Sequence, residues 1–132
     1  MGFENTRQNI MAEVQAFIAD KHPNLDVNYP NKKLVDVETQ RKPFSTIELF
    51  FEGQNRPSIV LEDCGPKGKL NFYIYYKEDT GIAFGAAFID TVVDHFSDKT
   101  YTGITFSESK VIPVVTYPGW VSSLISTQFR LY

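Results

Sequence analysis

The sequence predicts an α+β fold, a mainly antiparallel sheet flanked by two helices, and three observations carry that prediction. Strand-like alternation runs from Leu70 to Lys77, with Leu70, Phe72, Ile74 and Tyr76 on one side and Asn71, Tyr73, Tyr75 and Lys77 on the other. Beyond Lys77-Glu78-Asp79 the period changes. Ile82, Ala86, Ile89, Val92, Val93 and Phe96 now recur by threes and fours, which is one stripe of an amphipathic helix. Aromatic residues make up 14% of the 132 positions, a high share that fits strands and interfaces. A strand and the helix that follows it each have one apolar side, and laying the helix on a sheet buries both.

In chain order, Phe3, Ile10, Met11, Val14, Phe17 and Ile18 recur at helical spacing. This first helix begins near Gly2 or Asn5 and ends at His22-Pro23-Asn24, because the residue before a proline is pushed away from helical dihedrals. Leu25 to Tyr29 reads as a short strand. From Pro30 to Pro43 the sequence PNKKLVDVETQRKP holds no sustained apolar period, and such a long connection is either an arm that contacts a partner or a solvated loop. Phe44–Glu52 and Ser58–Asp63 read as strands, with turn chemistry in Gly53–Pro57 and again in Gly65-Pro66-Lys67-Gly68. They are expected to join the Leu70–Lys77 strand as successive hairpins.

After the second helix, Ser97-Asp98-Lys99 breaks the pattern, and Tyr101–Phe106 and Ser109–Thr116 follow as strands. Pro113 has no N–H for a ladder and therefore argues for an edge or a bulge. Trp120–Tyr132 is an unusually long final strand, with Val121, Ser123, Ile125, Thr127, Phe129 and Leu131 on one face. The expected order is α-β-β-β-β-α-β-β-β in a single domain over 1–132, with an extended arm at 30–43. All strand connections except the one through the second helix are candidates for hairpins.

Composition excludes several functions. A net charge of −3 gives no basic field of the kind that recruits nucleic acid. Cys64 is the single cysteine, so no intramolecular disulfide or two-cysteine metal knuckle forms, and a reducing compartment is expected. The N-terminus turns polar at once and does not read as a signal peptide, and no apolar run approaches the ~20 residues of a membrane span. Cytosolic folding is the expectation.

No catalytic constellation emerges. Gly65-Pro66-Lys67-Gly68-Lys69 has the wrong spacing for a phosphate-binding loop and leads into a strand. His22 and His95 each lack a second histidine at i+4 and read as surface or partly buried residues. Cys64 reads as a small apolar residue, no Gly-x-Ser-x-Gly motif is present, and nothing places the carboxylates of Glu48 and Glu62 in one cleft. No catalytic residue, cofactor or metal site is expected.

Two features exceed what a core needs. Phe84 and Phe88 are spaced i, i+4 on the second helix and are read as turned away from Ile82 and Val93. They are covered either by the arm or first helix, or by another subunit. The long C-terminal strand, with Gln128 and Arg130 on its second face, presents an edge that a neighbouring chain or arm must complete. Subunits pairing in a closed ring would satisfy both.

Taken together, the N-terminal helix, Val27-Asn28-Tyr29-Pro30-Asn31 before the arm, the Phe44–Leu49 strand, the Gly68–Ile74 strand with its helix, and the closing Gly119-Trp120 strand resemble the tail terminator proteins of long-tailed bacteriophages. The resemblance covers almost the whole chain. It implies a homohexameric ring with a central lumen, each subunit a sheet flanked by helices, at the head-proximal end of the virion tail. One ring face would sit on the last tail-tube ring and stop polymerisation, and the other would meet a head-completion protein. Phage DNA would pass through the lumen without specific binding, in keeping with the acidic balance. The arm departs from this by carrying Lys32, Lys33, Arg41 and Lys42, which are expected to meet a protein partner or point outward. Two rival readings are another head–tail connector or tail-tube protein, and a small-ligand-binding or enzymatic α+β domain with a cavity lined by Phe, Tyr and Trp.

Overall fold

The computed structural model describes residues 3–30, 42–52, 67–77, 82–114 and 119–131. Helix α1 (Phe3–Lys21) places Glu4 in its first turn and Lys21 in its last, each charge opposing the helix dipole at its end. Its face of Ile10, Met11, Val14, Phe17 and Ile18 is buried. Strands β1 (Asp26–Asn28), β2 (Phe44–Glu52) and β3 (Lys67–Lys77) precede helix α2 (Ile82–Phe96). Strands β4 (Thr100–Tyr101), β5 (Ile104–Phe106), β6 (Lys110–Val114) and β7 (Trp120–Leu131) follow it. The result is the expected α+β class, with two helices and a mixed, mostly antiparallel sheet of seven strands among the described residues.

The sheet runs β1-β2-β3-β7-β5-β4, and β6 also pairs with β7. Four details differ from the sequence reading. First, β1 pairs with β2 in parallel, Asp26 opposite Phe44, so a tight hairpin is excluded there. Second, β2 pairs directly with β3, from Phe44 opposite Tyr75 to Glu52 opposite Lys67. No strand separates these two, and Ser58–Asp63 lies outside the described residues. Third, Tyr101–Phe106 is a hairpin, β4 and β5, turning at Thr102 and Gly103 with φ of 51° and 76°. Positive φ at both central residues matches the twist of the strands that such a two-residue turn joins.

The fourth detail lies where β5 and β6 share the outer edge of β7. Phe106 is opposite Phe129 and Lys110 is opposite Ser126, so residues 107–109 oppose only 127–128. That extra residue is a β-bulge, and it reverses which face the alternate side chains meet. The bulge is tied down by Ser107 N–H donating to Gln128 O at 2.8 Å, Ser109 N–H donating to Ser97 Oγ at 2.9 Å, and a Ser109–Thr127 hydroxyl bond of 2.7 Å. Pro113 lies in β6, whose partner among the described strands is β7, so the edge expectation holds.

Both helices pack on one face of the sheet. Phe17 of α1 meets Phe72 of β3 edge-on at 6.2 Å and Phe96 of α2 at 5.6 Å, and Ile47, Leu70, Ile74, Ile125 and Phe129 complete the floor. Edge-to-face pairs of this kind contribute about 0.5–1.5 kcal/mol beyond the burial of their area. The buried line of α2 is Phe88, Val92 and Phe96, whereas Ile89 and Val93 are only half-buried. Phe88 is i, i+4 from Val92 and so lies about 40° from it round the helix, on the core side. Gly85 lies on the same side because Tyr76 occupies the space. A Cβ built there would stand 2.3 Å from the Tyr76 ring.

Candidate interaction surface

Alternation puts a second set of side chains on the face of the sheet without helices, and the registers arrange them in rows. Lys77 and Trp120 form the first row, with the Lys77 ammonium 4.3 Å from the centre of the Trp120 ring. Phe44, Tyr75, Ser122 and Val114 form the next, where Phe44 stacks on Tyr75 at 4.6 Å and meets Trp120 edge-on at 5.4 Å. Thr46, Tyr73, Leu124 and Ile112 follow, then Glu48, Asn71, Ser126 and Lys110. Phe50, Lys69 and Gln128 come next, and the last row crosses the positions of Glu52, Lys67, Arg130 and Thr105. This face is aromatic and closed at one end and cationic at the other. Phe44 and Trp120 are buried, whereas Phe50 is 49% exposed and Ile112 44% exposed.

At the cationic end, the step between β5 and β7 leaves a cavity of about 340 Å³, lined by Lys67, Thr105, Ser107, Gln128 and Arg130 over Gly68. Gly68 is required by close approach, because a Cβ would stand 1.8 Å from the Phe50 carbonyl oxygen. Lys67 and Arg130 are directly opposite each other, and Lys69 follows two residues along the same face. Like charges opposite one another on adjacent strands are destabilising. Among the described side chains, which do not include that of Glu52 opposite Lys67, no carboxylate forms an ion pair with any of the three. The neighbouring Glu48 is engaged by the Tyr73 hydroxyl, and burial together with Glu48 raises the Tyr73 pKa above its ordinary 10.0. Asn71 Oδ1, in the row beside these cations, is buried without a hydrogen-bond partner. Chemically this end offers cationic and hydroxyl donors to an anionic group.

The sequence-predicted residues divide between this surface and the core. Gln128 and Arg130 are brought together with Lys67 at the cavity. Phe88 is corrected: it is fully buried against Phe72 at 6.3 Å and His22 at 4.8 Å, and so belongs to the subunit's own core. Phe84 is half-buried, stacked on Phe88 at 6.2 Å and edge-on to His22 at 6.0 Å. The end of α1 therefore covers both phenylalanines. Lys42 is exposed just before β2, and Lys32, Lys33 and Arg41 lie outside the described residues. Lys67, Lys69 and Lys110 were missed, although Lys69 continues the alternation of Asn71 and Tyr73 one step toward the N-terminus.

Both histidines sit between the helices. The Thr91 hydroxyl donates to Phe88 O at 2.8 Å, so the 2.7 Å bond between His22 Nε2 and Thr91 Oγ1 is donated by the imidazole. Burial, with Lys21 adding to it, lowers the His22 pKa. His95 Nε2 bonds Glu13 Oε2 at 2.7 Å, and its ring stacks on Tyr101 at 5.1 Å. Among the described residues no group of three or more His, Cys, Asp or Glu side chains gathers for a metal, and no helix is long and apolar enough to cross a membrane.

The chain matches no protein-family model and no curated sequence. Ten solved chains match it in structure. Among them is one whose name carries no functional description, similar over 100% of this chain and 96% of its own, with a TM-score of 0.78 and 11% identity. At that identity the likeness establishes the fold.

Proposed function

We propose that the chain is a structural subunit of the phage tail terminator kind, assembling as a homohexameric ring that caps the tail tube, ends its polymerisation and provides the joint to the head. The observation that carries the reading is the one-sided sheet. Two helices cover one face, and the other exposes Phe50 and Ile112 beside Lys67, Lys69, Lys110 and Arg130. Such a subunit has apolar and charged surface that association would use. The α+β sheet with helices is also the subunit architecture that the sequence resemblance implies. In this reading the ring meets the last tail-tube ring on one side and a head-completion protein on the other, and DNA crosses its lumen without specific binding.

The rival of a ligand-binding domain calls for a cavity lined by aromatic rings. The cavity described at Lys67 and Arg130 is instead mostly polar, with Phe129 as the aromatic residue of its lining. The test is light scattering coupled to size exclusion, with and without purified tail tubes, followed by electron microscopy. A ring free in solution or seated on tube ends is the expected result. A chain that stays monomeric at high concentration and leaves tube ends bare would overturn the proposal.

A further inference from the structure

We infer that the cationic end of the open sheet face receives the outer ridge of helix α2 from a second copy of the chain, with Asp90 and Asp94 set against Lys67, Lys69 and Arg130. This rests on the self-assembly proposed above and specifies which two surfaces meet.

The α2 ridge is complementary in charge and in shape. Its solvent side consists of Ala83, Ala86, Ala87, Asp90 and Asp94, all exposed. Neither aspartate forms an ion pair with a described residue. The small alanines let a helix approach a sheet closely, and the aspartates are i, i+4, about 6 Å apart along the axis at 1.5 Å rise per residue. On the sheet, Lys67 and Lys69 are spaced about 6.6–6.8 Å on one strand, and Arg130 stands on the adjacent strand about 4.8 Å away. Two carboxylates at the helical spacing therefore fit cations at the strand spacing. The carboxylates would also relieve the opposition of Lys67 to Arg130. Phe50, exposed beside Lys69, supplies apolar surface for the alanines.

The two surfaces lie on opposite sides of the subunit, because α2 packs on one face of the sheet and the cations project from the other. A contact between them is heterologous, head to tail, and it closes into a ring when the rotation between copies permits.

The experiment is a charge swap read by sedimentation velocity, on tail tubes if the free chain does not assemble. Arg130→Glu with Lys69→Glu on the sheet, and separately Asp90→Lys with Asp94→Lys on the helix, are each expected to weaken assembly at least tenfold. All these positions are exposed, and unchanged circular dichroism and melting temperature would verify folding. Mixing the two reversed variants restores complementary faces and is expected to yield mixed oligomers where each alone fails. If wild type assembles and both variants assemble equally well, this contact is overturned and the ring stands. If wild type assembles nowhere, both are overturned.

Discussion

Phe88 lies under α2, with Phe72 and His22 around it and no exposed surface. Phe88→Ala is expected to cost roughly 3–5 kcal/mol in chemical denaturation, the range for a fully buried phenylalanine. Gly85→Ala tests the neighbouring position. An exposed helical glycine would gain about 1 kcal/mol from alanine, but the Tyr76 ring occupies the space, so a net loss of stability is expected. His22 sets a pH dependence. Its folded pKa is below its ordinary 6.5, so the unfolded chain binds more protons just below that value. Stability should be level above about pH 6.5 and fall as pH drops toward the folded pKa. Melting curves from pH 7.5 to 5 should show this decline, and His22→Gln should reduce it. The core face of α2 was read only in part, since Val92 and Phe96 belong to the expected stripe whereas Phe88, placed on the far side, is buried with them. The aliphatic series through Ile82 and Ile89 competes with it, and only contact with α1 and the sheet decides between them.

At the level of elements, the helix bounds follow closely from local signals, Pro23 ending α1 and the change of period starting α2. Pairing does not follow in the same way, since it depends on partners distant in sequence. β1 reads locally as the first arm of a hairpin, yet it lies parallel to β2. The β4–β5 turn was hidden because Thr102, a β-branched residue, takes a φ of 51° that its side chain disfavours. The bulge at 107–109 has no local signature beyond Ser107 and Ser109, and it appears only when β7 supplies the register. Ser109→Ala should cost about 1–3 kcal/mol, because it removes the partner of the Thr127 hydroxyl, which is 0% exposed. Urea titration of this variant would measure the loss.

For the whole molecule, the candidate surface was half legible. Gln128 and Arg130 stood out as polar residues on the second face of a long strand. Lys67 falls in the turn of the sequence reading and Lys69 at the head of its strand with no role, since the membership of Lys67 in β3 depends on pairing with β2 and β7 along its full length. If assembly uses Lys67, Lys69 and Arg130 against Asp90 and Asp94, raising salt from about 0.05 to about 0.5 M, over which exposed charges become screened, should weaken association measured by sedimentation. Unfolding of the monomer should respond far less, because its core is aromatic and aliphatic.

The shared edge of β7 carries a kinetic consequence. β5 and β6 hold separate lengths of it and are out of step by one residue, so the ladder hydrogen bonds of one do not continue into the other. β6 can leave without disturbing β5, and its Pro113 contributes no amide to hold it. Amide hydrogen exchange should therefore separate the two into different protection classes, with the β6 amides that face β7 exchanging through a local opening and Ser107, whose N–H bonds Gln128 O at 2.8 Å beside β5, only through a larger one. A single continuous strand would have given one rate for both.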